Sequence, residues 1–200
     1  MNKKPKIDLR NPEYIIALGV TIISLCALVV SVMQTQIMKE ERELMREYSR
    51  ASVWPRLEFG VMKGHNQDRS IRHFVLTLTN SGVGPAIITD VKVMYDKEVS
   101  TNWWDLFLIQ EIPDSVEKYI SNANFNDRVI KIGESLEILN LNENLELAQA
   151  FLERLDKLSI VIYYESIYGE KWKYEIGEEE EKTIKVENFS GLPKDEQFGN

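Results

Sequence analysis

Two hundred residues, 44% apolar and 10% aromatic, carry enough hydrophobic mass for the core of about one ordinary domain, which excludes a globally disordered chain. The net charge of −8 is unevenly spread: residues 1–50 hold eight Lys/Arg against six Asp/Glu, and residues 51–200 hold sixteen against twenty-six. So acidic a second part repels phosphate backbones, and no basic RNA- or DNA-reading motif is present, which argues against nucleic acid as a partner.

In chain order, a basic tail (1–13, with Lys3, Lys4, Lys6 and Arg10) leads into a run without a single charge, Tyr14 to Met33. At ~1.5 Å per residue this run reaches roughly 30 Å, enough to cross a hydrocarbon core, and it predicts a transmembrane helix over 14–33 with membrane lipid as a partner. A buried core helix of that length keeps a polar stripe, whereas here the polar side chains are Thr21, Ser24 and Ser31. A cleaved signal peptide has a shorter apolar run, usually ~7–15 residues, closed by a small-x-small site. Leu25 before Cys26 argues against lipoprotein processing. Cys26 is the single cysteine, so no intrachain disulfide can form.

Lys and Arg balance across the two ends of the span, and Glu40, Glu41, Glu43 and Glu47 neutralise the second cluster. The excess on the first side leans toward a cytoplasmic N-terminus and an extracytoplasmic domain. Ala17, Thr21, Ser24, Ala27 and Ser31 recur at steps of three and four, a candidate helix-association face.

Residues 34–52 contain no Gly or Pro and are rich in Glu, Arg, Lys and Met, which predicts a helical stalk ended by Pro55. The period then changes to two. Leu57, Phe59 and Val61, then Phe74, Leu76 and Leu78, then Ile87, Val91, Val93 and Tyr95 mark strands of an antiparallel sheet, with further strands near 128–132, 135–141, 158–165 and 171–175. A hairpin loop is expected at 166–170. Two short helices interrupt them, Trp103–Ile109 capped by Ser100 or Thr101, and Leu145–Leu155. The fold class predicted is mainly β, an anchor and stalk followed by an antiparallel sandwich over 53–176. The acidic end, 177–200, reads as a flexible tail.

A resemblance is carried by Ser52-Val-Trp-Pro-Arg-Leu57 and Leu78-Thr-Asn-Ser-Gly-Val-Gly-Pro-Ala-Ile-Ile88, and later by Gly133-Glu-Ser135 and Tyr164-Glu-Ser-Ile-Tyr-Gly-Glu170. On these the chain resembles uncharacterised bacterial single-pass membrane proteins with an N-terminal span. The resemblance implies an immunoglobulin-like sandwich on a tether and carries no functional residues. Read physically, the second segment is a turn in which Asn80 and Gly82 tolerate positive φ, Gly84 adds freedom and Pro85 presets the next strand.

No catalytic, cofactor-binding or metal site is expected. The two histidines, His65 and His73, have no ligand spacing and no partnered nucleophile; His65 with Asp68 reads as a solvated loop, and Glu178–Glu181 lacks the alternation of a calcium loop. Trp103 and Trp104 are adjacent, so one of the two is expected at the surface as a contact. The sequence thus predicts a non-enzymatic interaction module that meets a protein partner or copies of itself. Its rivals are a small-ligand sensor with an apolar pocket near Trp103–Phe107, and an enzyme with a carboxylate site needing a raised carboxyl pKa.

Overall fold

The computed structural model describes residues 12–199 apart from 114, 118, 119, 125 and 178–180. Contacts divide the chain into two compact units, Met1–Ser49 and Arg50–Asn200.

The first unit is helical. Helix α1, Pro12–Ala51, runs without a break through the segments expected as span and stalk; at 1.5 Å per residue its 40 residues are roughly 60 Å long. It starts two residues before the expected span, because Pro is well placed at a first helical position whose N–H has no partner to lose. None of its residues is buried, and it is long and apolar enough to cross a membrane. Most of the basic tail, residues 1–11, lies outside the described residues.

The second unit is mainly β. Strands β1 (Leu57–His65), β2 (Ile71–Asn80), β3 (Ala86–Tyr95) and β4 (Glu98–Ser100) precede helix α2 (Trp103–Ile109). Strands β5 (Ser121–Asn122), β6 (Val129–Ile130) and β7 (Ser135–Asn140) lead to helix α3 (Leu145–Leu152), and β8 (Leu158–Glu165), β9 (Lys171–Ile176) and β10 (Lys182–Val186) follow. A four-stranded sheet has the order β1-β2-β7-β5, and a six-stranded sheet the order β10-β9-β8-β3-β4 with β6 also on β3. All pairings are antiparallel. Phe74, Leu76 and Leu78 of one sheet, Ile88, Val91, Ile160 and Ile162 of the other, and Leu106, Phe107 and Phe151 of the short helices enter one apolar core.

Several expectations shift. Helix α2 is capped by Asn102, whose side chain accepts from the Asp105 N–H, rather than by Ser100 or Thr101; an Asn directly before the first helical residue is as good a cap and better placed. Helix α3 stops at Leu152, and Leu155–Lys157 forms a tight 3-10 turn. Part of the acidic end, expected as a flexible tail, is structured. Lys182–Val186 pairs with β9, and Phe198 is buried, because alternating Thr183 and Lys185 add an edge strand and the later aromatics find apolar partners. The expected turn chemistry at Asn80–Pro85 also changes, since none of Asn80, Gly82 and Gly84 takes the left-handed backbone conformation.

Candidate functional site

The first two of the quoted motifs meet in space. The Val83 N–H donates to the Trp54 carbonyl (3.0 Å) and the Ser81 N–H to the Arg56 carbonyl (2.8 Å). A Cβ on Gly84 would lie 1.9 Å from the Val53 oxygen, and one on Gly82 would lie 2.3 Å from the Arg56 nitrogen. Glycine is required here by close backbone approach, not by its dihedral freedom. Asn80 sits fully buried at the centre. Its Oδ1 accepts from the N–H groups of Arg56 and Gly82, and its Nδ2 donates to the carbonyls of Gly84 and Ile130. Its backbone bonds Glu134 and Gly133. A buried amide is tolerated only when so paired.

This knot marks one end of the sandwich. Pairings Leu57↔Asn80, Thr79↔Ser135, Ala86↔Ile130 and Glu165↔Lys171 bring the loops 81–85, 131–134 and 166–170 to it. Trp54, Val83, Val129, Ile132, Ile167 and Tyr168 are all exposed there, framed by the ion pairs Arg56–Glu58, Arg128–Glu134 and Lys185–Glu170. Apolar tips within a charged rim are the anatomy of a contact surface. Sequence periodicity does not single these residues out, because only the strand pairing gathers loops from distant segments.

Beside that end, a groove of about 500 Å³ runs between β1 and β9–β10, lined by Trp54, Arg56, Glu58, Trp172, Thr183 and Lys185. The Tyr174 hydroxyl accepts from the Phe59 N–H and donates to Glu181, which closes part of the free β1 edge. Burial pushes the Tyr174 phenol up, and the bond to Glu181 adds to this. Tyr164, stacked on Trp172, is pushed up to about 12 by burial. Its hydroxyl lies beside Leu57 and Thr183 without a well-formed hydrogen bond.

Trp103 and Trp104 diverge as their adjacency demands. Trp103 is buried edge-on against Phe198 with ring centroids 5.0 Å apart. Trp104 is half exposed and shares an outward face with Leu108, one helical turn on. A cavity of about 190 Å³ adjoins both tryptophans, with Asn102, Ile120, Asn122 and Phe198 in its walls.

On α1, Ala17, Thr21, Ser24, Ala27 and Ser31 fall within an arc of about 120° at 100° per residue. The Thr21 hydroxyl donates to the Ala17 carbonyl (2.8 Å), so it is satisfied within its own helix. His65 ends β1, and Asp68 accepts from both the N–H and the hydroxyl of Ser70, bonds that hold its carboxyl below the usual range. Glu134 is lowered too, chiefly by the Lys131 N–H. Glu181 is held by Tyr174, while residues 178–180 of the acidic run lie outside the described residues.

No curated protein and no solved structure matches the chain. A family's sequence model, described as Domain of unknown function (DUF8453), matches residues 14–189. All of α1 but its first two residues, and the strands through β10, lie within that stretch, and the chain belongs to this family.

Proposed function

We propose that the chain is a membrane-anchored, non-enzymatic interaction module. Helix α1 holds it in the bilayer as a single-pass protein, and an immunoglobulin-like sandwich outside the cytoplasm meets a protein partner. The strand order supports the fold reading: β1-β2-β7-β5 and β9-β8-β3-β4 follow the A-B-E-D and G-F-C-C′ order of such sandwiches. The observation that carries the functional reading is the gathering of exposed Trp54, Val83, Ile132, Ile167 and Tyr168 at the loop end. Immunoglobulin-type domains use the loops at one end of the sandwich for recognition. The small-residue face of α1 offers a second contact, to another copy, through close helix packing.

Photo-cross-linking in native membranes tests this reading. A cross-linker at Ile132 is expected to capture a discrete protein, and one at exposed Lys63, at the other end of β1, is not. With the cross-linker kept at Ile132, Ile167→Glu is expected to abolish capture while the melting temperature holds. Monomer alone at both positions sinks the proposal. A C-terminal reporter fusion reads the side of the membrane, and uncut full-length chain in the supernatant without detergent removes the anchor.

One observation favours a second reading, small-ligand sensing, namely the cavity between Trp103 and Asn122. Thermal shift against a metabolite panel separates the two, since only the second expects a hit that Trp103→Ala removes.

A further inference from the structure

The outer edge of β3 is paired twice and open between. Strand β6 takes Ala86 and Ile87, and β4 takes Val93 to Tyr95. The ladder to β8 on the other side slips between Ile88 and Asp90, which bends the strand there. An unpaired stretch of strand edge offers backbone groups to any extended chain.

Segment 189–199 fills this gap without forming a strand. The Phe198 N–H donates to the Val91 carbonyl (2.8 Å) and the Gly199 N–H to the Thr101 carbonyl (2.7 Å). Asp90, itself buried, accepts from the Leu192 N–H (3.1 Å) and from the Gln197 amide (2.8 Å) through one oxygen. Lys92 pairs with Glu196, and the Asn126 amide donates to the Phe198 carbonyl. The Phe198 ring enters a socket walled by Trp103, and 98% of its surface is covered. Upstream, Phe189 stacks on Tyr163 at 3.8 Å, and Gly191 at φ +98° turns the chain.

These contacts have the form of a bound ligand: an aromatic anchor in a pocket, one backbone bond to a strand edge and one to the loop after β4, and a carboxylate on a lysine. The cavity of about 190 Å³ lies against Phe198 and Gly199 beside the two tryptophans. Segment 190–199 also lies past the stretch that the family's sequence model matches, whereas Asp90, Lys92 and Trp103 lie within it.

We propose that the β3 edge gap and the Trp103 socket form a binding site for an extended peptide bearing a phenyl side chain, with segment 190–199 as its exchangeable occupant. The site is independent of the loop-end surface and of the anchor. Departure of the segment bares Asp90, Lys92 and Trp103 together, so a peptide in trans and the chain's own segment compete for the same groups.

The test uses the full chain in detergent, ended by a stop codon after Phe189, with a fluorescent peptide of residues 188–199 as probe. Saturable binding is expected, weakened about tenfold or more by Phe198→Ala in the peptide and nearly absent in the uncut chain, whose own segment competes. A shortened chain that keeps its circular dichroism and melt yet binds no peptide overturns the proposal. So does equal binding of both peptides, or equal binding by the uncut chain. Should the shortened chain not fold, hydrogen exchange of the uncut chain decides. Amides of Phe198 and Gly199 exchanging roughly a hundredfold faster than those of Val161 and Ile162 support an exchangeable segment, and equal protection overturns it.

Discussion

The Asn80 knot and segment 189–199 do similar work at two places in one domain, each tying a segment without regular structure to a strand. They do it by opposite means. At the knot, backbone lies against backbone with no room for a single Cβ, and every polar atom of a buried amide is partnered. On β3 and beside it, two rings, one ion pair and a few separate hydrogen bonds hold a segment at points spaced along its length. The contrast teaches that burial alone does not distinguish a permanent joint from a releasable one. What distinguishes them is how many groups are stranded when the contact opens.

The sharpest way to break the comparison is Gly84→Ala. The added methyl would overlap the Val53 carbonyl, and because that carbonyl is backbone and no torsion moves a Cβ, no rotamer relieves it. The expected loss is about 4 kcal/mol or more, read as a fall in melting temperature of roughly 10 °C or more. Gly169→Ala tests the alternative cause. Gly169 sits at φ +75° with nothing within 4 Å of a built Cβ, so it pays for strain alone, about 1 kcal/mol. Equal effects at the two sites would return the Gly84 requirement to dihedral freedom.

Asn80→Ala comes next. It strands the N–H groups of Arg56 and Gly82 and the carbonyls of Gly84 and Ile130 in a site without solvent. The expected cost is about 3 kcal/mol by denaturant unfolding, less than a sum over four groups because such losses are not additive.

These two positions also show what was legible in the chain. The motif Asn80-Ser-Gly-Val-Gly-Pro is visible because close packing selects glycine at fixed spacing, yet the sequence misattributes the cause, as nothing in it says that residues 53–56 lie against the turn. Strands β8 and β9 were readable because Leu158–Glu165 and Lys171–Ile176 alternate around a Gly169 turn. Helix α1 was readable for a different reason, since a run without charge needs no tertiary context. Residues 182–199 were not readable. Their composition is that of a solvated tail, and Phe198 is fixed by Trp103 and Val91, about a hundred residues upstream. The loop-end surface was hidden likewise, because Val83, Ile132 and Ile167 become neighbours only through strand pairing.

A third effect lies in the core beside the knot. A buried tyrosine is neutral when protonated, and Tyr164 is pushed up to about 12 by burial, with Tyr174 raised in the same sense. The folded chain therefore keeps protons that the unfolded chain releases near its ordinary phenol pKa of about 10. Stability is full below about pH 10 and falls as pH climbs through the folded value, by on the order of 2 kcal/mol for Tyr164. Guanidinium midpoints measured between about pH 8 and pH 12 read this, and Tyr164→Phe is expected to flatten the decline.

The smallest effect sharpens the comparison most. Phe198→Ala removes a ring nearly as buried as Phe151, and both rings sit edge-on to an aromatic neighbour. Phe151 belongs to α3 in the middle of the core, and its truncation leaves a cavity that its neighbours cannot fill, at about 3–5 kcal/mol. Segment 189–199 can instead let go. Once it detaches, water reaches the Trp103 socket and the sandwich beneath keeps its own pairings, so the loss cannot exceed the free energy of docking the segment, about 1 to 2 kcal/mol. Parallel unfolding of the two variants decides. A Phe198→Ala loss as large as that of Phe151→Ala would make the segment an integral part of the core rather than an occupant of the β3 edge.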